Sequence, residues 1–144
     1  MEKVLLSIVA VAAFASAGCS RADAVSRSIA ASVSAGAGTR LVLADHAGFA
    51  WERVCIFGPY TPDTDVDRIS GIHEAASRAF DIRENDGIDV LMFISRQQVV
   101  ASVAHPRRGA DFGPEVVGKC YPRQSAVFSV RVPPAKSWGE IGPL

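Results

Sequence analysis

The sequence predicts an α+β domain: an antiparallel sheet of four to five strands with one or two short helices packed on it. Three observations predict it. Apolar runs of strand length outnumber helical ones, the strongest run is apolar on both parities, and the connections are short. Short links suit hairpins rather than the repeated βαβ crossovers of a parallel sheet. At 144 residues the chain has room for one such domain and not two.

In chain order, Leu41-Val42-Leu43 is a first short strand, broken by Asp45-His46-Ala47-Gly48. Trp51 to Phe57 is the strongest strand. It sets Trp51, Cys55 and Phe57 on one parity and Val54 and Ile56 on the other, so it is expected at the centre of the sheet, covered on each side. Gly58-Pro59 stops it, because Pro has no backbone N–H to donate. Thr61 is the expected N-cap of a helix, with Pro62 at its first position and Asp63 and Asp65 near the positive end of its dipole. Val66 and Ile69 would face the sheet, and Gly71 would end the helix. His73 to Arg83 is expected to add a helical turn or two around Ala76 and Phe80.

Asn85-Asp86-Gly87 is a turn signal of the kind that calls for positive φ. Ile88 to Ile94 and Val99 to Ala104, joined by the polar Arg96-Gln97-Gln98, predict an antiparallel hairpin. A loop from Pro106 to Lys119 leads to a last strand, Ala126 to Val132, which alternates with Ala126, Phe128, Val130 and Val132 inward and Ser129 and Arg131 outward. The domain is therefore placed at residues 40–132, with 133–144 as a Pro-rich, poorly ordered tail.

Residues 1–19 have the form of an export signal: a short charged start, an apolar stretch from Val4 to Phe14 and a small-residue end. The stretch is about half the length needed to span a bilayer. Two processing outcomes follow. Ala15-Ser16-Ala17 fits cleavage before Gly18, whereas Ser16-Ala17-Gly18-Cys19 resembles the lipobox of bacterial lipoproteins, in which Cys19 is acylated and anchors the chain to a membrane. Of three cysteines, lipidation of Cys19 leaves Cys55 and Cys120 as an even pair, expected as a disulfide in an oxidising compartment. Ser20 follows in place of the Asp that retains enteric lipoproteins at the inner membrane, so the expected address is the periplasmic side of the envelope, at the outer membrane. Residues 20–39, rich in Ala, Ser and Gly, are expected to be a tether. The competing reading is a short helix with Val25, Ile29 and Val33 on one face.

The stretch from Trp51-Glu52 through Phe57 and Pro59-Tyr60-Thr61 to Gly71 resembles a family of small exported bacterial proteins, many of them lipoproteins. In that family an aromatic–acidic pair opens a strand that ends in Phe-x-Pro-Tyr-Thr and enters a short acidic helix closed by Gly. Asp86-Gly87-Ile88 leading to Phe93 is similar to the family's second strand, and Ala126-Val127-Phe128 to its last. The family carries no assigned activity. The resemblance therefore implies fold and location and transfers no catalytic residue.

Fifteen basic residues balance fifteen acidic ones, which leaves no electrostatic case for nucleic acid. The sequence has no HExxH, no Cys-x-x-Cys, no paired histidines at helical spacing and no G-x-S-x-G, so it offers no metal, cofactor or catalytic motif. Trp51, Glu52 and Tyr60 form the candidate recognition surface, for another envelope protein or a peptide. The leading expectation is thus a non-enzymatic binding or assembly module. The alternative is a small periplasmic hydrolase whose site is assembled from loops, with His105, Asp111 and Arg107 as candidates.

Overall fold

The structure, a computed structural model, describes residues 17–36 and 40–144. Most of the predicted export signal therefore lies outside the described residues. The elements are α1 (Ala17–Ser34), β1 (Arg40–Val42), β2 (Arg53–Phe57), α2 (Asp63–Ser70), β3 (Ile88–Ser95), β4 (Gln98–Pro106), β5 (Ala110–Phe112), β6 (Lys119–Pro122), β7 (Val127–Arg131) and β8 (Gly139–Gly142).

The α+β class holds, but the strands divide into two four-stranded sheets, ordered β4-β3-β2-β6 and β1-β7-β8-β5. All pairs are antiparallel except β5 with β8. The first sheet is buried on both faces, as the unbroken apolar run of β2 implies. One face, with Cys55, Phe57, Val90, Met92 and Ile94, packs on Val66 of α2 and on Ala75, Ala79 and Ile82 of short 3-10 turns. The other face, with Val54, Ile56, Leu91 and Phe93, meets α1 and the second sheet through Leu41, Phe128, Val130 and Ile141.

Residues 20–34 are no tether. They belong to an 18-residue helix whose Val25, Ile29 and Val33 are buried in the core. Ser and Gly are poor helix interiors on propensity alone, but burial of an apolar stripe outweighs a few tenths of a kcal/mol per residue. Two of the serines also find partners: Ser26 Oγ lies 2.9 Å from His105 Nδ1, and Ser28 Oγ lies 2.8 Å from His46 Nδ1.

The last predicted strand stops at Arg131, one residue early, and Val132 beyond it is exposed rather than inward, because it has left the ladder that fixes the alternation. The predicted tail is likewise structural. Gly139–Gly142 pairs with both β7 and β5, and Ile141 is fully buried. Pro133, Pro134 and Pro143 bracket this Pro-free segment, so every strand residue keeps its N–H. Gly139 is required where α1 crosses β8, because a Cβ there would overlap Val33 Cγ1. Val is stiff at χ1 and cannot swing aside freely. Gly139→Ala is therefore expected to cost about 1–3 kcal/mol in urea unfolding. Val33→Ala, destabilising alone, should cancel most of that cost in the double variant.

Other local expectations shift by small amounts. Pro62 rather than Thr61 caps α2, and the Thr61 hydroxyl donates to the Gly58 carbonyl at 2.7 Å. Gly71 closes the helix in the left-handed region, as expected. Residues 73–83 form only 3-10 turns, interrupted by left-handed Glu74, Phe80 and Asp81. The Asn85-Asp86-Gly87 turn needs no positive φ: Asn85 Oδ1 accepts the Gly87 N–H at 2.8 Å instead. Positive φ falls at Arg96 and Gln97, the two central residues of the β3–β4 hairpin, in the sense that matches strand twist.

Candidate functional site

Cys55 and Cys120 are directly paired residues of β2 and β6, and a disulfide joins them across a sequence separation of 65. Both neighbours are held by backbone ladders, so the bond links strands already in register. Cys19 lies in the first turn of α1.

The three residues of the predicted recognition surface do not converge. Trp51 is buried, edge-on to Phe93 at 5.1 Å between centroids, with the Arg123 guanidinium 4.8 Å from its ring. It enters the core because it precedes β2 and escapes the parity of that strand. Glu52 is exposed, and its carboxylate accepts the Arg96 N–H at 3.1 Å, pinning the hairpin turn. Tyr60 lies past the opposite end of β2, so the expected aromatic edge does not exist as one patch.

Tyr60 finds a different neighbour. Its N–H donates to the Ile82 carbonyl at 2.9 Å, two residues beyond Phe80. Tyr60 is 62% exposed and Phe80 48%, and both have positive φ (62° and 54°). A bulky residue held left-handed costs on the order of 1 kcal/mol or more and persists only where its surroundings over-determine it. Phe80 also lines a shallow groove of about 240 Å³ with Ala76, Ser77, Arg78 and Asp81. The sequence places Phe80 within an expected helical turn or two, and nothing in its local pattern marks it as exposed.

The polar candidates His105, Asp111 and Arg107 separate into a buried group and a rim. Arg107 grips Asp111 through two nitrogens, at 2.7 and 3.1 Å, and donates a third bond to the Asp86 carbonyl at 2.9 Å. His105 faces Ser26 rather than Asp111, and its ring is fully buried, edge-on to Phe112. Asp89, absent from the sequence candidates, is the Cα partner of His105 across β3 and β4 and is equally buried. Its Oδ2 accepts the Phe112 N–H at 3.0 Å. Among the described residues, Oδ1 of Asp89 and Nε2 of His105 have no hydrogen-bond partner. The signal for Asp89 was present: one acid at the head of an otherwise apolar strand run.

Burial sets the charge of this pair. It pushes the Asp89 carboxyl up to about 7, with the Phe112 N–H opposing, Asp111 adding to the rise and Arg107 lowering it. It pushes the His105 imidazole down to about 4, with the Ala110 backbone opposing. Each group thus favours its neutral form, which removes a net charge from the core. Ser26, His105 and Asp89 have the composition of a nucleophile, base and acid. Yet His105 has no surface to offer a substrate, and Asp89 bonds a backbone amide rather than the imidazole.

A groove of about 430 Å³ runs between α1 and the loop after β1, lined by Arg21, Ala24, Val25, His46, Gly48 and Phe49. Another, of about 320 Å³, lies beside Arg107, Asp111, Lys136 and Glu140, whose charges are already paired within it. Among the described residues, no three His, Cys, Asp or Glu side chains are grouped to hold a metal ion, and no helix is long and apolar enough to cross a membrane. No protein-family model matches this chain, and no curated protein or solved structure matches it.

Proposed function

We propose that this chain is an exported protein of the bacterial envelope, held by lipid on Cys19 at the periplasmic face of the outer membrane, whose domain binds or assembles with another envelope protein or a peptide. The observation that carries the binding role is the pair of exposed aromatic residues, Tyr60 and Phe80, fixed in left-handed backbone on two loops that are hydrogen-bonded together. Exposed rings on rigid backbone bind without losing much conformational entropy. The Cys55–Cys120 bond supports the compartment, since disulfides persist where the surroundings oxidise. The resemblance around Trp51 to Thr61 supports the same address. The hydrolase reading has the Ser26–His105 contact in its favour, and it would need α1 to lift from β4 before any substrate met the imidazole.

A photo-crosslinking residue at position 60, tested in the native envelope, examines the binding role. One discrete adduct is expected from position 60, lost on Phe80→Ala with an unchanged melting temperature. The same adducts from a probe at Gln124, exposed at the far end of the fold, would count against a dedicated surface. So would a lowered melting temperature in Tyr60→Ala, which would mark packing as the role of that ring.

A further inference from the structure

If Cys19 carries lipid, the geometry of α1 points to a domain seated flush on the bilayer rather than suspended from it, and we infer that its membrane-facing surface is the end formed by Arg21, Phe49 and Arg123. This inference rests on the lipidation proposed above. Its basis is that α1 already includes Cys19 and runs on without a break to Ser34, while Val25, Ile29 and Val33 are locked in the core. Cys19 stands under two turns ahead of Val25, roughly 9 Å along the helix axis. An acyl chain at that position leaves no slack for a water-filled gap beneath the domain.

The end brought to the bilayer has the composition of an interfacial surface. Phe49 is half-buried, edge-on to Phe93 at 5.3 Å, with Arg21 5.9 Å from its ring centroid and Arg123 donating to its carbonyl at 3.4 Å. Aromatic rings flanked by arginines suit the headgroup layer, where an apolar body and a charged tip are both solvated. Glu52 also stands at this end, bonded to the Arg96 N–H through its carboxylate and to the Arg123 N–H through its carbonyl, and Asp23 follows Arg21 in α1, so acids and bases are mixed and no strong field of either sign attracts this end to anionic lipid. The lipid and the stiff helix, not surface charge, hold it there. Tyr60 and Phe80 lie past the other end of β2, which points them away from the membrane and leaves them open to a partner.

Hydrogen exchange tests this on the native lipoprotein in vesicles of phosphatidylethanolamine and phosphatidylglycerol, against the same protein with a Gly-Ser spacer of about 12 residues inserted after Ser20. Such a spacer reaches about 19 Å. Amides of residues 46–50 and 123–125 should exchange about fivefold more slowly in the native form than in the spacer variant. Residues 80–84 should not differ, and vesicles of phosphatidylcholine alone should give the same pattern. Equal rates at 46–50 in both forms, or slowing at 80–84, would overturn the seating. Intact mass separates the two claims: an unlipidated chain defeats the anchor itself, whereas a lipidated chain with equal rates defeats only the orientation.

Discussion

Replacing Cys55 and Cys120 together by alanine lowers the unfolding free energy by about 4 kcal/mol through the lost cross-link. The bond closes a loop of 65 residues, and in the chain-entropy account its effect is to restrict the unfolded ensemble. In the folded state β2 and β6 remain paired from Arg53 with Pro122 to Ile56 with Lys119, and the loss there is confined to the packing of the buried Cys55 sulfur. β6 is nevertheless a four-residue edge strand, held in its sheet by β2 alone. Its backbone amides should therefore exchange faster in the double variant, while those of the β3–β4 hairpin stay slow. The measurement is urea unfolding of the oxidised protein and the double variant at one pH. A difference under about 1 kcal/mol would mean that the unfolded chain was already compact across this loop.

The second large effect is opposite pH dependence in two single variants. Asp89 has a folded-state pKa raised to about 7 from 3.8, so the folded protein binds more protons than the unfolded chain between those values. Stability from this group falls as pH rises through that window. His105 has a folded-state pKa lowered to about 4 from 6.5, so the folded protein binds fewer protons there. Its contribution rises with pH over the same range. In the native chain the two slopes offset each other between pH 4 and 6.5. Asp89→Asn keeps an oxygen for the Phe112 N–H and removes the falling slope, so stability should rise by about 3 kcal/mol from pH 4 to 6.5. His105→Gln should show the reverse, a fall of similar size from pH 4 to 7. Chemical unfolding across this range checks both. Parallel profiles for the two variants would show that Asp89 and His105 are not the groups that titrate.

The fold class was readable because β2 and β3 carry apolar residues on both parities, and only a strand buried on two faces demands that. The β3–β4 hairpin was readable from two runs joined by a turn too short for anything but antiparallel pairing. α1 was not, since its propensity and its stripe point in different directions and the sheet that rewards the stripe is made by residues far along the chain. β8 was hidden by its prolines, which count against a strand inside it but not on either side of it. Cys55 and Cys120 were legible by parity of number, although their exact register came from β2 and β6. The candidate surface was legible in part: Tyr60 stands at the end of a recognisable strand, but its association with Phe80 depends on a backbone bond to Ile82 that no local pattern announces. Trp51 misled because aromatic size speaks equally for a core and for an interface.

Intact-mass spectrometry of the protein from host membranes, without reduction, measures export, lipidation and oxidation of one chain at once. The expected species begins at Cys19, carries the added mass of its lipid, and is two hydrogens lighter than the dithiol because Cys55 and Cys120 are joined. A full-length chain beginning at Met1, unlipidated and with free thiols, would contradict it.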